Sequence, residues 1–132
     1  MTKWGISLIS MIQLDHKVHV YYRDVDQMGI VYYVRYFEYF EEARTELLRS
    51  INIDIPKIEE DGYFLPVVSC GCEYTNSAKF DDDLIVSTII SDIPSATLKI
   101  EYDIYNREKI KLVSGFTVHS FINKMGRAVK PP

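Results

Sequence analysis

The sequence contains one strongly helical segment, and the patterned segments that follow it are typical of β-strands. In the helical segment, apolar side chains recur every three or four residues, at Tyr33, Tyr36, Phe37, Phe40, Ala43, Leu47 and Leu48. This is the spacing of one face of an α-helix. The pair Ile55–Pro56 predicts that the helix ends before it, near Ser50. One long helix combined with a sheet predicts an α+β fold.

Five strands are predicted, one before the helix and four after it: residues 16–22, 65–80, 84–90, 98–104 and 110–121. The segment 98–104 alternates strictly between apolar and charged side chains, which is typical of a sheet with one buried and one solvated face. Ser114–Gly115 interrupts the alternation of the last strand, so we expect a β-bulge there. We interpret residues 1–132 as a single domain, with residues 1–15 as a loose N-terminal extension.

Composition limits the classes of function. Fifteen Lys and Arg residues against nineteen Asp and Glu residues give a net charge of −4, which argues against a general nucleic-acid-binding surface. The apolar run at residues 4–9 is much shorter than the ~20 residues of a membrane span. Cys70 and Cys72 do not indicate a disulfide framework. We therefore expect a cytoplasmic protein without a membrane span.

The segment between the first strand and the helix carries the candidate chemistry. Asp24 and Asp26 stand two residues apart, and Gly29 follows shortly before the predicted helix start near Tyr33. The free N–H groups at a helix start carry partial positive charge and can bind an oxyanion. A carboxylate beside such a helix end suits the hydrolysis of an activated acyl group, as a general base or as a nucleophile.

Two other interpretations of this loop remain open from the residues alone. In the first, Asp24 and Asp26 are turn and near-cap residues that stabilise the helix start. In the second, Asp24, Asp26 and Gly29 are positions 1, 3 and 6 of a calcium loop. Arg35 occupies position 12, where that loop needs a bidentate Glu, so calcium is disfavoured. The spacing of the three histidines does not indicate zinc, and we expect no metal.

Residues 20–46 resemble the signature of the hotdog-fold acyl-CoA thioesterases. The segment Asp24-Val25-Asp26-Gln27-Met28-Gly29-Ile30-Val31-Tyr32 is followed by an aromatic helix that carries the Glu-x-Ala-Arg element at residues 41–44. The pattern is similar to the 4-hydroxybenzoyl-CoA thioesterase group, and within it to the Tol–Pal-associated acyl-CoA thioesterases. The resemblance continues through residues 65–70, 80–82 and 115–121, and it covers about residues 17–132.

This resemblance implies a hotdog fold, in which an antiparallel sheet wraps a long central helix. It implies acyl-CoA thioesterase activity, with the CoA thioester as substrate and no cofactor. Asp26 takes the catalytic position, and the backbone N–H of Tyr33 polarises the thioester carbonyl. Substrate-binding roles are expected for Gly29, Val31, Tyr32 and Ser69. It also implies a homodimer, or a homotetramer of two dimers, with the active sites at the dimer interface.

Two departures from the family pattern affect this prediction. Tyr33 stands where the Tol–Pal-associated members usually have His. The turn at residues 92–96 lacks the basic side chain that related enzymes tend to place near the CoA phosphates. The remaining candidates for phosphate contacts are Lys79, Lys99, Arg107, Lys124 and Arg127. The missing basic turn leaves open a non-catalytic module that binds acyl-CoA or acyl carrier protein.

The charged residues of the helix give two further predictions. Glu41–Arg44 and Glu46–Arg49 stand three residues apart, which predicts ion pairs on the helix surface. Glu42 is a candidate for supporting the active site. A hotdog dehydratase is disfavoured, because the sequence lacks the motif in which that class pairs a His with an acid.

Overall fold

The computed structural model describes residues 12–91 and 96–130. Its elements are β1 (Ile12–His19), a 3-10 turn (Tyr22–Asp24), α1 (Arg35–Ser50), α2 (Ile55–Glu60), β2 (Tyr63–Phe64), β3 (Val67–Tyr74), β4 (Asp83–Ile90), β5 (Thr97–Tyr105), β6 (Lys111–Ser120) and β7 (Ile122–Asn123). The five longer strands form an antiparallel sheet in the order β1-β4-β5-β6-β3, and β2 pairs with β7. The predicted α+β class is confirmed.

Helix α1 packs on the sheet through the face that its apolar spacing predicts. Its buried side chains are Tyr36, Tyr39, Phe40, Ala43, Leu47 and Leu48, and they belong to the same core cluster as the alternate buried residues of β5. The ring of Phe40 stacks on the ring of Tyr102 with centroids 4.3 Å apart. Burial of each large apolar side chain contributes about 1.5–3 kcal/mol. This layer therefore fixes the position of α1 on the sheet.

The bulge predicted at Ser114–Gly115 is wrong. Gly115 pairs in continuous register with Cys72 on one side and with Tyr102 on the other. A Cβ at this position would lie 2.6 Å from a ring carbon of Phe40. The break in alternation therefore marks the place where the ring of Phe40 lies directly against the strand. The register shifts occur between residues 67 and 69 and between residues 104 and 105.

Several predicted boundaries change. β1 begins at Ile12, so residues 12–15 belong to the sheet rather than to the predicted loose extension, whose other residues lie outside the described ones. The strand predicted over 65–80 ends at Tyr74. Ile55–Pro56 opens a short helix of its own, because Pro is tolerated in the first turn of a helix.

Strand β3 lies at one edge of the sheet and is largely exposed. Val67, Val68 and Tyr74 are among its exposed apolar side chains. An edge strand of this kind has unpaired backbone groups that can pair with another chain. Among the described residues, the helices are too short or too polar to cross a membrane.

Candidate active site

The loop that carries Asp26 is a tight, internally hydrogen-bonded turn. Oδ1 of Asp26 accepts hydrogen bonds from the backbone N–H groups of Met28, at 2.8 Å, and Ile30, at 3.2 Å. The N–H of Gly29 donates to the Asp26 carbonyl, and the N–H of Asp26 donates to the Ile30 carbonyl. Gly29 has a φ of 76°, which glycine adopts without steric cost. Asp26 is thus a turn residue through Oδ1, whereas Oδ2 has no protein partner among the described residues.

Two other loops of the described chain repeat this turn with Asn in place of Asp. Oδ1 of Asn106 accepts from the N–H groups of residues 108 and 110, and Oδ1 of Asn123 accepts from those of residues 125 and 127. The accompanying backbone bonds are also the same. One amide oxygen is therefore enough to form this turn. The second carboxylate oxygen of Asp26 is not needed for the local structure.

Asp24 has a different environment from Asp26. It is 5% exposed, and its Oδ2 accepts from the N–H of Tyr21 at 3.0 Å. Its carbonyl accepts from the N–H of Tyr32. Burial, followed by the Asp24 carboxylate, raises the pKa of Tyr39. Asp24 is therefore a buried structural residue of the turn, as the turn interpretation predicts for it.

Tyr33 lies two residues before α1, which begins at Arg35 rather than at Tyr33. A bridge between Val25 and Val31 makes the Asp26 loop a small hairpin, and its second arm leads directly to Tyr33. The carbonyl of Tyr33 accepts a hydrogen bond from the hydroxyl of Tyr74 at 3.2 Å. Its N–H has no hydrogen-bond acceptor among the described residues. The turn therefore presents a free N–H donor next to the start of the helix.

The other predicted site residues differ in their surroundings. Gly29 and Tyr32 belong to the same loop as Asp26, and Tyr32 is exposed. Val31 is 4% exposed and packs in the core. Ser69 is exposed on β3, five residues before Tyr74, which corresponds to about 17 Å along a strand. The chain brings the three loop residues together with Asp26 but places Ser69 elsewhere.

The segment at residues 78–80 supports the loop and was not predicted to do so. The N–H of Val31 donates to the carbonyl of Ala78, and the N–H of Phe80 donates to the carbonyl of Gly29. The N–H of Ala78 in turn donates to the hydroxyl of Tyr36 on α1. Asn76 and Ser77 are frequent in turns, and they are the sequence signal that the predicted strand should have ended before them.

The charged residues of α1 take partners that only partly match the predictions. The Glu46–Arg49 pair is confirmed, at 2.7 Å. The Glu41–Arg44 pair is wrong: Arg44 contacts the hydroxyl of Tyr102 at 3.5 Å instead. Glu42 bonds Nε2 of His16 at 3.0 Å and forms no hydrogen bond or ion pair with the Asp26 loop among the described residues. Helix spacing predicts which residues are close, and tertiary contacts decide which of them pair.

His19, the last residue of β1, is held between two carboxylates. Its Nδ1 lies 2.7 Å from Asp83 and its Nε2 lies 3.0 Å from Asp81. The hydrogen bond to Asp83 is the main cause that raises the pKa of His19. Arg107 also pairs with Asp83. Within residues 12–91 and 96–130, no group of three or more His, Cys, Asp or Glu side chains is arranged to hold a metal.

Comparison with known proteins gives a consistent result. Residues 20–132 match the family described as the thioesterase-like superfamily. The chain is 41% identical over 85 residues to the acyl-CoA thioesterase YbgC of Haemophilus influenzae. That match covers 64% of this chain and 62% of the relative, so the chain spans just under two thirds of the relative's length. It is 30% identical over 117 residues to a putative esterase of Aquifex aeolicus, covering 89% of this chain and 90% of that relative.

A solved structure shows the same fold. The chain superposes on a 1,4-dihydroxy-2-naphthoyl-CoA thioesterase from Synechocystis with a TM-score of 0.85 and 23% identity, covering 91% of this chain and 90% of that chain. The long helix against an antiparallel sheet is thus the hotdog arrangement predicted from the sequence.

Proposed function

Because the chain belongs to the thioesterase-like superfamily, we propose that it is an acyl-CoA thioesterase, which hydrolyses an acyl thioester to a free acid and CoA. One observation carries the proposal. Asp26 keeps a carboxylate oxygen that its turn does not need, and a free backbone N–H stands at Tyr33 close to it along the chain. The name of the 41%-identical relative supports the substrate class.

In the proposed reaction, Oδ2 of Asp26 acts in one of two ways. As a general base it takes a proton from water, and the oxygen of that water attacks the thioester carbonyl carbon. As a nucleophile it attacks the carbon itself, and water then cleaves the resulting anhydride. In both routes the carbon–sulfur bond breaks and the CoA sulfur leaves as a thiolate, which takes up a proton. The two N–H bonds to Oδ1 orient the carboxylate for either step.

The N–H of Tyr33 supplies the electrostatic part of the proposed mechanism. The carbonyl oxygen gains negative charge as the tetrahedral centre forms, and a fixed N–H donor stabilises that charge. One such donor contributes about 3–4 kcal/mol to the transition state. The positive end of the α1 dipole lies at the start of the helix, two residues after Tyr33, and it stabilises the same negative charge.

Part of the CoA contact is proposed from the topology. Among the five basic candidates, Lys79 lies opposite Ile30 in a backbone bridge, beside the Asp26 loop. Lys99 and Arg107 are ion-paired with Glu101 and Asp83. The turn at residues 92–96, which lacks a basic side chain, falls almost entirely outside the described residues. We therefore propose that Lys79 contacts the CoA phosphates.

A homodimer is part of the proposal. The exposed edge of β3 carries apolar side chains that a second copy would cover by strand pairing. Tyr74 ties one end of β3 to the turn of Tyr33. Antiparallel pairing of two β3 strands then sets the Ser69 end of one strand beside the Tyr74 end of the other. This would give Ser69 its predicted role in substrate binding. Light scattering distinguishes a monomer, a dimer and a tetramer.

A cytoplasmic location is also proposed. Cys70 and Cys72 are both free thiols, and free thiols are usual in reducing compartments. Fractionation of cells into cytoplasmic and envelope fractions, followed by detection of the protein, tests this part independently of activity.

The decisive experiment compares Asp26→Asn with Asn123→Asp on a panel of acyl-CoA substrates, with detection of the released thiol. The same turn holds an Asn at 106 and 123, so Asp26→Asn should keep the fold and the thermal midpoint. We expect it to lower kcat about 100-fold or more. Asn123→Asp makes the reverse change in a matching turn and should leave kcat unchanged.

Three outcomes would contradict the proposal in different ways. Wild-type activity in Asp26→Asn would remove the assigned residue but keep the activity. Thermal stabilisation of the wild type by acyl-CoA without thiol release would indicate the binding module. The absence of both turnover and thermal stabilisation with every acyl-CoA tested would exclude acyl-CoA as the substrate class.

A further inference from the structure

Arg44 is a half-buried cation that lacks a carboxylate partner among the described residues. Its hydrogen bond is a long one, 3.5 Å from a terminal nitrogen to the hydroxyl of Tyr102. The nearby acid Glu42 is bonded to His16, and Glu41 does not pair with Arg44. A guanidinium has five N–H donors, so most of those of Arg44 have no acceptor in the described protein. Partial burial of an unpaired cation is unfavourable, which makes an anionic ligand its expected partner.

The polar side chains next to Arg44 already have hydrogen-bond partners within the protein. The hydroxyl of Tyr102 lies 2.7 Å from Oγ1 of Thr117, which lies 2.8 Å from Nε2 of His119. Nδ1 of His119 lies 3.0 Å from the carbonyl of Leu65. A carbonyl only accepts, so Nδ1 carries the proton, Nε2 accepts from Thr117, Thr117 accepts from Tyr102 and Tyr102 accepts from Arg44. Burial lowers the pKa of His119, which keeps this directed chain in its neutral form.

Arg44 lines a cavity of about 440 Å³ between α1, α2, the segment at residues 64–66 and the ends of β5 and β6. This volume is typical of a small-molecule site. Much of the wall is apolar, formed by Leu48, Ile55, Leu65, Leu98, Ile100 and Ile122. The cavity lies away from the Asp26 loop, because Arg44 is nine residues beyond the first residue of α1, about 14 Å along the helix axis.

We propose that this cavity binds an amphipathic monocarboxylic acid, with its carboxylate on the guanidinium of Arg44 and its hydrocarbon part along the apolar wall. A carboxylate matches the planar fork of a guanidinium and can accept two parallel hydrogen bonds from it. Glu41 and Glu59 also line the cavity and are exposed. Their charges disfavour a multiply charged ligand such as CoA, so a singly charged acid fits better.

This site goes beyond the proposed function. Its ligand belongs to the chemical class that thioester hydrolysis would release, but the argument uses none of the residues assigned to that reaction. Binding of a free acid requires no turnover. The site can therefore be tested in the Asp26→Asn background, where its failure is distinct from failure of the thioesterase proposal.

The test is a calorimetric titration of octanoate into Asp26→Asn protein with three second changes. Without a second change we expect saturable binding, and Arg44→Gln should weaken it about tenfold or more. Arg49→Gln removes a charge from the same helix, where Arg49 is exposed and paired with Glu46, and it should leave the affinity unchanged. Ile55→Trp places a larger side chain in the wall of the same cavity and retains the charge of Arg44, and it should also weaken binding about tenfold or more.

Three results would overturn the proposal. The first is no binding of octanoate to the protein that retains Arg44. The second is equal affinity for octanoate and the neutral 1-octanol, which would show an apolar cavity without an anion site. The third is full octanoate affinity in Arg44→Gln or in Ile55→Trp. If Arg44→Gln lowers the thermal midpoint strongly, the Ile55→Trp titration and the octanol comparison decide alone.

Discussion

The hydroxyl of Tyr74 donates a hydrogen bond to the carbonyl of Tyr33 across 3.2 Å, and it thereby joins the edge strand β3 to the turn before α1. The ring of Tyr74 packs against the ring of Tyr36, with centroids 5.5 Å apart. Partial burial, followed by the Cys72 thiol, raises the pKa of Tyr74 to about 12. The hydroxyl therefore stays protonated, as a donor, over the pH range in which a thioesterase is assayed.

Tyr74→Phe should lower kcat by loosening the turn of Tyr33. The variant keeps the ring contact and loses one hydrogen bond, which is worth about 1 kcal/mol. Without that bond the turn can move, and the N–H of Tyr33 is placed less accurately, so kcat should fall several-fold. Tyr22→Phe is the matched control, because Tyr22 is 79% exposed and contacts Phe80 through its ring. Equal kcat in the two variants would contradict the positioning role.

The His19 clamp should contribute most to stability at mildly acidic pH. Both ring nitrogens face carboxylates, which only accept, so the clamp requires the doubly protonated ring. Its raised pKa means that the stabilisation is complete below the ordinary value of 6.5 and is lost as the pH rises through the folded-state value. The hydrogen bond from His19, with that from Arg107, lowers the pKa of Asp83, so its contribution is complete above the ordinary value of 3.8 and is lost as the pH falls through the lower folded-state value.

Thermal midpoints measured across this pH range check the clamp. The difference in thermal midpoint between wild type and His19→Gln should be largest between pH 3.8 and pH 6.5, the two ordinary pKa values, and should shrink as the pH rises through the raised pKa of His19. In the Asp83→Asn background, most of this pH dependence should disappear, because the main partner is gone. A difference that stays constant with pH would show that His19 stabilises by packing alone.

The pattern-based predictions succeeded where one periodicity covers a whole element. The apolar spacing of α1 and the alternation of 98–104 depend on local burial, and both elements form close to the predicted bounds. Contacts between distant residues could not be read from the pattern. Arg44 meets Tyr102 58 residues later, and His19 meets Asp83 64 residues later. Helical spacing alone assigned Arg44 to Glu41.

The site was predictable to a different extent. Asp26 and Tyr33 were named through the family resemblance, since the residues alone left turn and calcium interpretations open. The structure adds that two Asn residues form the same turn. That comparison separates the structural oxygen of Asp26 from the one left over, and it required knowing that three loops of unlike sequence share one conformation.

Gly29→Ala and Gly126→Ala form a matched pair that separates backbone strain from function. Both glycines have a φ of 76°, both stand at the fourth position of the same turn, and a Cβ at either would have no neighbour within 4 Å. Each substitution should therefore cost about the same, roughly 1–2 kcal/mol of unfolding free energy, from left-handed strain alone. The strain in Gly29→Ala acts on the turn that orients Asp26, whereas Gly126→Ala strains the turn of Asn123.

Urea unfolding should show similar losses of unfolding free energy for the two variants, and thiol release should show a lower kcat only for Gly29→Ala. If kcat falls equally in both, activity follows global stability, and the accurate geometry of the Asp26 turn is not what catalysis depends on.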